Sequence, residues 1–164
     1  MYQRILVPLD GSELAERVLP HATALASRMG AELLLVQVVP LSSQLAMLAA
    51  GNIEVGAAGG APLAAMAEAE EAEAKRASEY LESVAERLRR EGLEVQWEVR
   101  RGTAAAAIID CAMEHDVSVI AISTRGRSGL GRLVFGSVAD AVLRQSGKPV
   151  LVIKPAPSSP QREP

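Results

Sequence analysis

A glycine-rich segment between residues 123 and 137 contains the residues whose chemistry is most informative. It holds four glycines, three arginines and a terminal serine: Gly126, Gly129, Gly131, Gly136, Arg125, Arg127, Arg132 and Ser137. Glycines let successive backbone N–H groups turn toward a bulky anion and let that anion approach closely. Because a strand is predicted before the segment and a helix after it, Ser137 would lie at a helix N-terminus that favours phosphate. The context indicates a phosphate-binding loop, and an ordinary glycine-rich connector is the alternative.

The segment matches neither of two familiar phosphate-binding patterns. Gly131 and Gly136 have the P-loop spacing, but Ser137 stands where the P-loop lysine belongs and Val138 where its Ser/Thr belongs. A Rossmann fingerprint does not fit either, because these glycines follow the fourth predicted strand and not the first. Fast phosphoryl transfer therefore has no evident machinery in this segment.

Five apolar runs alternate with helical patterns, and these elements must position the glycine segment. The predicted strands cover residues 4–10, 32–39, 94–100, 117–123 and 150–153. The predicted helices cover residues 12–30 with a kink at Pro20, 62–91, 104–114 with Thr103 as cap, and 136–145. This alternation predicts an α/β fold: a doubly wound, five-stranded, mainly parallel sheet flanked by four helices, like the three-layer Rossmann and flavodoxin folds.

A single domain is predicted over residues 1–154, followed by a disordered tail at residues 155–164 that is rich in proline. Residues 41–61 lack periodicity and predict a long flexible loop, either a lid over a ligand or a tolerated insertion. Residues 94–100 alternate in polarity, as an edge strand with one face open to water would.

The carboxyl ends of the strands are where such a sheet binds its ligand, at the topological switch point. Three segments are predicted to meet there, at residues 8–12, 38–41 and 122–138. Within the first of them, Asp10 is a carboxylate at the end of an otherwise apolar strand. It is a candidate ligand contact, and an Asx turn before Gly11 is the alternative.

Composition excludes several classes of function. The 164-residue chain has a net charge of −3, so no overall basic field exists to hold duplex DNA or an anionic membrane. Only 2% of its residues are aromatic, which argues against a platform for stacking single-stranded bases. The apolar runs are too short to span a membrane and no signal-peptide pattern is present, so a soluble cytoplasmic domain is expected.

Metal ligands are not predicted in this chain. The single cysteine excludes a multi-cysteine zinc site, and Cys111 is interpreted as a small buried hydrophobic residue. His21 and His115 are far apart, and neither is interpreted as having a partner at ligand spacing. Both are therefore expected to be solvated or to face a helix dipole.

Three features together resemble the universal stress protein family over roughly residues 2–154: the opening Ile-Leu-Val-Pro-Leu-Asp-Gly-Ser at residues 5–12, the glycine segment, and the closing residues 136–152. The nucleotide-binding branch of that family carries Gly-x-x-Gly, nine residues, and Gly-Ser/Thr. Gly126 and Gly136-Ser137 match this pattern, with residues 127–135 between them. Ser123 stands at the first glycine of the pattern, and its Cβ would be costly where a positive φ or very close phosphate approach is required.

The resemblance implies that ATP, or AMP or ADP, binds at the switch point, with Mg or Mn bound through the phosphates where a metal takes part. Pro8 and Asp10 would lie near the adenosine, Asp10 reaching the ribose or a phosphate-bound metal. Val38 would meet adenine partly through its backbone, and Ile122 would form part of the pocket wall. The other expected binding residues are Gly126, Gly136, Ser137 and Val138 on the phosphates, with Ser123, Arg127 and Gly129.

Three hypotheses of function remain open. The first is an ATP-binding regulatory protein in which occupancy alters residues 41–61 or a dimer surface. The second is a slow metal-dependent ATPase that uses Asp10, although a P-loop lysine and an evident general base are missing. The third is a nucleotide-free dimerisation module. The resemblance also implies a homodimer with strand 150–153 at the partner edge, where an unpaired apolar strand pairs readily.

Overall fold

Five parallel strands form the sheet in the structure, a computed structural model that describes residues 3–41, 60–124 and 136–154, with side chains from Ala64 onward in the third helix. The strands are β1 (Arg4–Pro8), β2 (Glu32–Val39), β3 (Val95–Arg101), β4 (Val119–Ser123) and β5 (Val150–Ile153). They lie in the order β3-β2-β1-β4-β5, and every pairing is parallel. The predicted doubly wound α/β fold is confirmed.

The described helices are α1 (Glu13–Glu16), α2 (Leu19–Met29), α3 (Gly60–Arg90), α4 (Ala104–Glu114) and α5 (Ser137–Gln145). Helix α4 has the predicted bounds, whereas α3 begins earlier than predicted, at Gly60. Thr103 lies at the N-cap of α4 in an extended conformation, but its side chain makes no capping hydrogen bond. The loop predicted over residues 41–61 lies outside the described residues except at its ends, and the tail at residues 155–164 lies wholly outside them.

The prediction of one kinked helix over residues 12–30 was wrong, because the chain breaks between α1 and α2. Pro20 lies in the first turn of α2, where its missing N–H costs nothing. In an uninterrupted helix that N–H would have to bond to the carbonyl of Glu16. The amides of Arg17 and Val18 bond instead to the carbonyls of Leu14 and Ala15, which closes α1 with a tight turn.

Two strands are shorter than predicted. Strand β1 ends at Pro8, although the amide of Leu9 still donates to the Val36 carbonyl at 2.8 Å. Strand β4 begins at Val119, because the amide of Val117 bonds back to the Ala112 carbonyl of α4 at 2.9 Å. At the start of β4 the chain thus satisfies a backbone group locally, which apolar periodicity does not reveal.

The sheet is buried on both faces, as parallel sheets with crossover helices are. One face packs against α2 and α3, in a core that includes Val7, Leu33, Leu35, Ala22, Leu81 and Val84. The other face packs against α4 and α5, in a core that includes Leu6, Leu34, Ile120, Ile108, Ala112 and Val142. This arrangement makes β1 the central strand and places the topological switch point between β1 and β4.

Strand β3 is an edge strand, as predicted, but neither of its faces is fully open to water. Trp97 and Val99 pack on the core beneath α3. The side chains of Glu98 and Arg100 point to the other face, where they are 27% and 19% exposed. There they contact the C-terminal half of α4, through His115 and Glu114.

Candidate functional site

A cavity of about 410 Å³ lies at the carboxyl ends of β1 and β4, where the switch point predicts a ligand. Four groups of residues line it, each from a different part of the fold. The lining residues are Pro8, Leu9, Asp10, Ser12, Leu14 and Ala15; Val36 and Val38; Ala104 and Ile108; and Ile122, Ser123, Thr124, Gly136, Ser137, Val138 and Ala139. Its volume falls within the range of cavities that hold small-molecule ligands.

Asp10 follows β1 and forms the Asx turn that was its alternative interpretation. Its Oδ1 accepts hydrogen bonds from the Ser12 amide at 2.9 Å and the Ser12 hydroxyl at 2.6 Å. The turn passes through Gly11, whose φ of 79° suits glycine. Within the described part of the chain, Oδ2 has no partner, so the Asx turn leaves half of this exposed carboxylate available at the cavity.

The end of β4 contributes three consecutive residues to the cavity, Ile122, Ser123 and Thr124. The amide of Thr124 bonds to the Ile153 carbonyl at 3.0 Å, which holds the strand end against β5. The Ser123 hydroxyl oxygen is buried and finds no hydrogen-bond partner among residues 3–41, 60–124 and 136–154. A buried hydroxyl normally has a partner, so this one is a candidate to bond to a ligand.

Two helices of nine residues or more begin at the cavity. Ala104 is the first residue of α4 and Ser137 the first residue of α5, and both line it. Helix N-termini present unpaired N–H groups and the positive end of the helix dipole. Asp10 is the only charged residue among the described lining residues, so in this part of the chain attraction for an anion comes from the helix starts.

Gly136 caps α5 in a conformation that any residue can adopt, with φ −59° and ψ 153°. A Cβ built on it would meet no described atom within 4 Å. Neither backbone strain nor packing against the described residues therefore requires glycine at this position. The open space next to the helix start suits an anion that approaches the backbone closely.

The rest of the cavity wall is aliphatic. Val36 and Val38 project from β2, Ile108 from α4 and Ile122 from β4. No described lining residue carries an aromatic ring, so a planar group in this cavity would be held by aliphatic side chains and backbone.

The structure brings eight of the eleven predicted binding residues to this one cavity: Pro8, Asp10, Val38, Ile122, Ser123, Gly136, Ser137 and Val138. Gly126, Arg127 and Gly129 lie outside the described residues, as do Arg125 and Arg132. Their contacts with a ligand stay predictions.

Sequence reasoning missed the contribution of α4 and of the start of α1. Ala104 and Ile108 line the cavity, as do Leu14, Ala15, Val36 and Ala139; Leu9, Ser12 and Thr124 lie within the segments predicted to meet there but were not named as binding residues. A signal existed for Val36, because it shares a strand face with Val38 two residues on. No comparable signal existed for α4, since its start comes to the cavity only through the packing of this helix against β2 and α5.

Fold and cavity together define a doubly wound α/β protein with a ligand-sized cavity at its switch point, next to two helix N-termini. Comparison with known proteins gives the particular family. The family model described as "Universal stress protein family" matches residues 1–154, and the chain belongs to this family. Among the described residues, no helix is both long and apolar enough to cross a membrane.

Relatives and solved structures agree with this assignment. Universal stress protein MJ0577 of Methanocaldococcus jannaschii is 30% identical over 159 residues, covering 94% of this chain and 96% of the relative. A solved structure of MJ0577 matches with a TM-score of 0.73 and 26% identity, over 96% of this chain and 99% of that one. The universal stress protein from Archaeoglobus fulgidus solved in complex with dAMP matches with a TM-score of 0.62 and 27% identity, over 93% and 98%.

Proposed function

We propose that this chain binds an adenine nucleotide, ATP in the first place, in the cavity at the carboxyl ends of β1 and β4. The observation that carries the proposal is the cavity itself, which joins an aliphatic wall to two helix N-termini at the switch point. An adenine nucleotide has the matching halves, an apolar base and an anionic phosphate chain. The Archaeoglobus fulgidus relative in complex with dAMP supports this ligand class.

The polarity of the cavity suggests how the nucleotide lies in it. The phosphates face Gly136, Ser137 and Val138 at the start of α5, where N–H groups are free to donate. The adenine packs against Val38 and Ile122. Between these ends, the buried hydroxyl of Ser123 donates to a ribose or phosphate oxygen, which satisfies a group that has no described partner.

Asp10 is the one residue of the described lining that would repel a phosphate directly. Its free Oδ2 is suited to accept from a ribose hydroxyl, or to contact a Mg²⁺ or Mn²⁺ ion bound through the phosphates. Such an ion would neutralise phosphate charge. One carboxylate oxygen alone does not make a protein metal site. The nucleotide phosphates would therefore supply most of the oxygens that hold the ion, and Asp10 would add one.

The nucleotide acts as a regulatory ligand in this proposal. Its occupancy alters residues 41–61 or the surface of a homodimer that pairs through β5, in the cytoplasm. Strand β5 lies at an edge of the sheet, and its four residues are all partly exposed. An apolar edge strand of this kind is suited to pairing with a second copy.

The Ser137→Asp variant should bind ATP at least about tenfold more weakly than the unmodified chain, or about 1.4 kcal/mol. A carboxylate at the first residue of α5 places a negative charge where the phosphates would lie, while an acidic first turn favours the helix itself. Loss of affinity would therefore come without loss of folding. Calorimetric titration of the purified chain with ATP measures the dissociation constants.

Ser137→Asn is the matched control, because it has nearly the same shape as Asp without the charge. It should bind ATP within about threefold of the unmodified chain, which is under 1 kcal/mol. The proposal fails if the unmodified chain shows no heat of ATP binding. Equal affinities of the Asp and Asn variants would place the phosphates away from α5.

A further inference from the structure

Three side chains that ligate metals lie together between β3 and α4, away from the nucleotide cavity. They are Glu98 on β3 with Cys111 and His115 on α4, and their carboxylate, thiol and imidazole atoms all lie within 4.8 Å of one another. Sequence reasoning gave His115 no ligand-spaced partner, and that interpretation was wrong. Cys111 and His115 are four residues apart on a helix, which places them on one face.

The spacing of these atoms is close to that of a shared metal centre. His115 Nε2 lies 3.1 Å from Glu98 Oε2. Ligands about 2.0–2.3 Å from a tetrahedral Zn²⁺ ion lie about 3.3–3.8 Å from each other. A cation could therefore enter with shifts of a few tenths of an ångström up to about 1 Å at the thiol.

Neighbouring groups orient the carboxylate toward the cluster. Arg100 Nε donates to Glu98 Oε1 at 2.6 Å, which leaves Oε2 on the side of His115. The Arg100 guanidinium also contacts the Glu114 carboxylate, so its charge is shared between two acids. Arg4 contacts the backbone carbonyl of His115 and holds the end of α4 in place. Such outer contacts are typical of metal ligands.

Burial leaves one side of the cluster accessible. Cys111 is fully buried, whereas the side chains of His115 and Glu98 are 30% and 27% exposed. A cation could enter from the side of the imidazole and carboxylate and take a water as its fourth ligand, as three-ligand protein sites do.

The cluster holds a proton that a cation would displace. The Cys111 thiol is fully buried beside the Glu98 carboxylate, and a thiol binds a metal only after losing its proton. The Glu98 carboxylate contacts the Arg100 guanidinium and the His115 imidazole. Cation binding would release the thiol proton, giving a thiolate, a carboxylate and a neutral imidazole around a divalent charge.

We propose that Glu98, Cys111 and His115 form a binding site for a borderline-soft divalent cation, Zn²⁺ before Mg²⁺ or Ca²⁺. Thiolate and imidazole select zinc-like metals, whereas magnesium and calcium prefer oxygen ligands. The bound cation would cross-link edge strand β3 to α4. Helix α4 also carries Ala104 and Ile108 of the cavity wall. The same helix would therefore contact both the nucleotide and the cation.

Titration of the nucleotide-free chain with Co²⁺, as a spectroscopic substitute for Zn²⁺, tests the proposal. One equivalent should produce a thiolate-to-cobalt charge-transfer band in the near ultraviolet, which added Zn²⁺ removes. Cys111→Ser should abolish this band, and His115→Gln should weaken Co²⁺ binding at least about tenfold. Because no nucleotide is present, the result does not depend on the proposed function.

His21→Gln is the control, since this exposed histidine lies on α2 on the opposite face of the sheet, and it should leave the titration unchanged. Circular dichroism checks that the variants are folded. If Cys111→Ser does not fold, the Co²⁺ affinity of His115→Gln tests the proposal. His115 is partly exposed, so its replacement should leave the chain folded. The proposal is overturned if the unmodified chain gives no charge-transfer band, or if His115→Gln and the unmodified chain bind Co²⁺ equally.

Discussion

The Gly136→Val variant should lose at least about 100-fold of its ATP affinity, or about 2.7 kcal/mol, while its free energy of unfolding changes by less than about 1 kcal/mol. Gly136 has an ordinary φ of −59°, and a Cβ there meets no described atom. The folded chain therefore has no described reason to need glycine. A phosphate at the start of α5 would provide the reason, because a branched side chain would take the space through which it approaches. ATP titration and urea unfolding measure the two quantities.

Gly30→Val is the matched control, with the opposite expectation. Gly30 ends α2 in the left-handed region, with φ 62°, and a Cβ there also meets nothing within 4 Å. A β-branched residue in that conformation should cost about 1–2 kcal/mol of stability, and ATP affinity should stay unchanged. The two variants thus separate a glycine needed by the backbone from a glycine needed by the ligand. Unchanged ATP affinity of Gly136→Val would contradict the proposed phosphate position.

Leu6→Ala should lower the free energy of unfolding by about 3–5 kcal/mol. Leu6 is fully buried in the central strand β1, paired in register with Leu34 and Ile120. These three residues lie in the core beneath α4 and α5. The neighbouring strands are held by backbone hydrogen bonds and cannot collapse into the space that the leucine leaves. Urea unfolding followed by circular dichroism measures the loss, and the melting temperature should fall by roughly 10 °C.

Leu143→Ala serves as the control for the same substitution at the surface. Leu143 is 43% exposed on α5, so its truncation should cost less than about 0.5 kcal/mol. A loss below about 1 kcal/mol for Leu6→Ala would mean that the sheet is not packed on both faces as described. The proposed ATP site lies beyond the strand ends, so folded Leu6→Ala should keep its nucleotide affinity.

Most of the fold could be predicted from the sequence, because each strand and crossover helix leaves a local pattern. The apolar run at residues 32–39 and the helix at residues 104–114 have the predicted bounds. The errors lie where a local hydrogen bond competes with periodicity. Pro20 cannot donate to Glu16 and divides the first helix, and Val117 bonds back to α4 before β4 begins. Hydrophobic spacing is nearly the same on either side of such breaks, so it did not reveal them.

The position of the cavity was also predictable, since parallel strands end at one edge and the order of connections defines a switch point. Eight predicted residues meet there because they lie at or just after the carboxyl ends of three strands, or at the start of α5. The residues of α4 were not predictable in the same way. Ala104 and Ile108 reach the cavity because α4 packs against β2 and against α5, and that placement depends on packing between elements.

Local sequence thus determined the element types, the glycine segment and the likeness to nucleotide-binding relatives, since these depend on neighbours along the chain. Only the tertiary structure decided which side chains from separate elements meet. It gave Asp10 an Asx turn in which one oxygen has no described partner, left the Ser123 hydroxyl without a described partner, and joined Glu98 to Cys111 and His115. The periodicity of a strand or a helix shows which of its residues share a face. It does not show which face of one element packs against which face of another. Those pairings come from burying both sides of the sheet beneath helices of particular length and position.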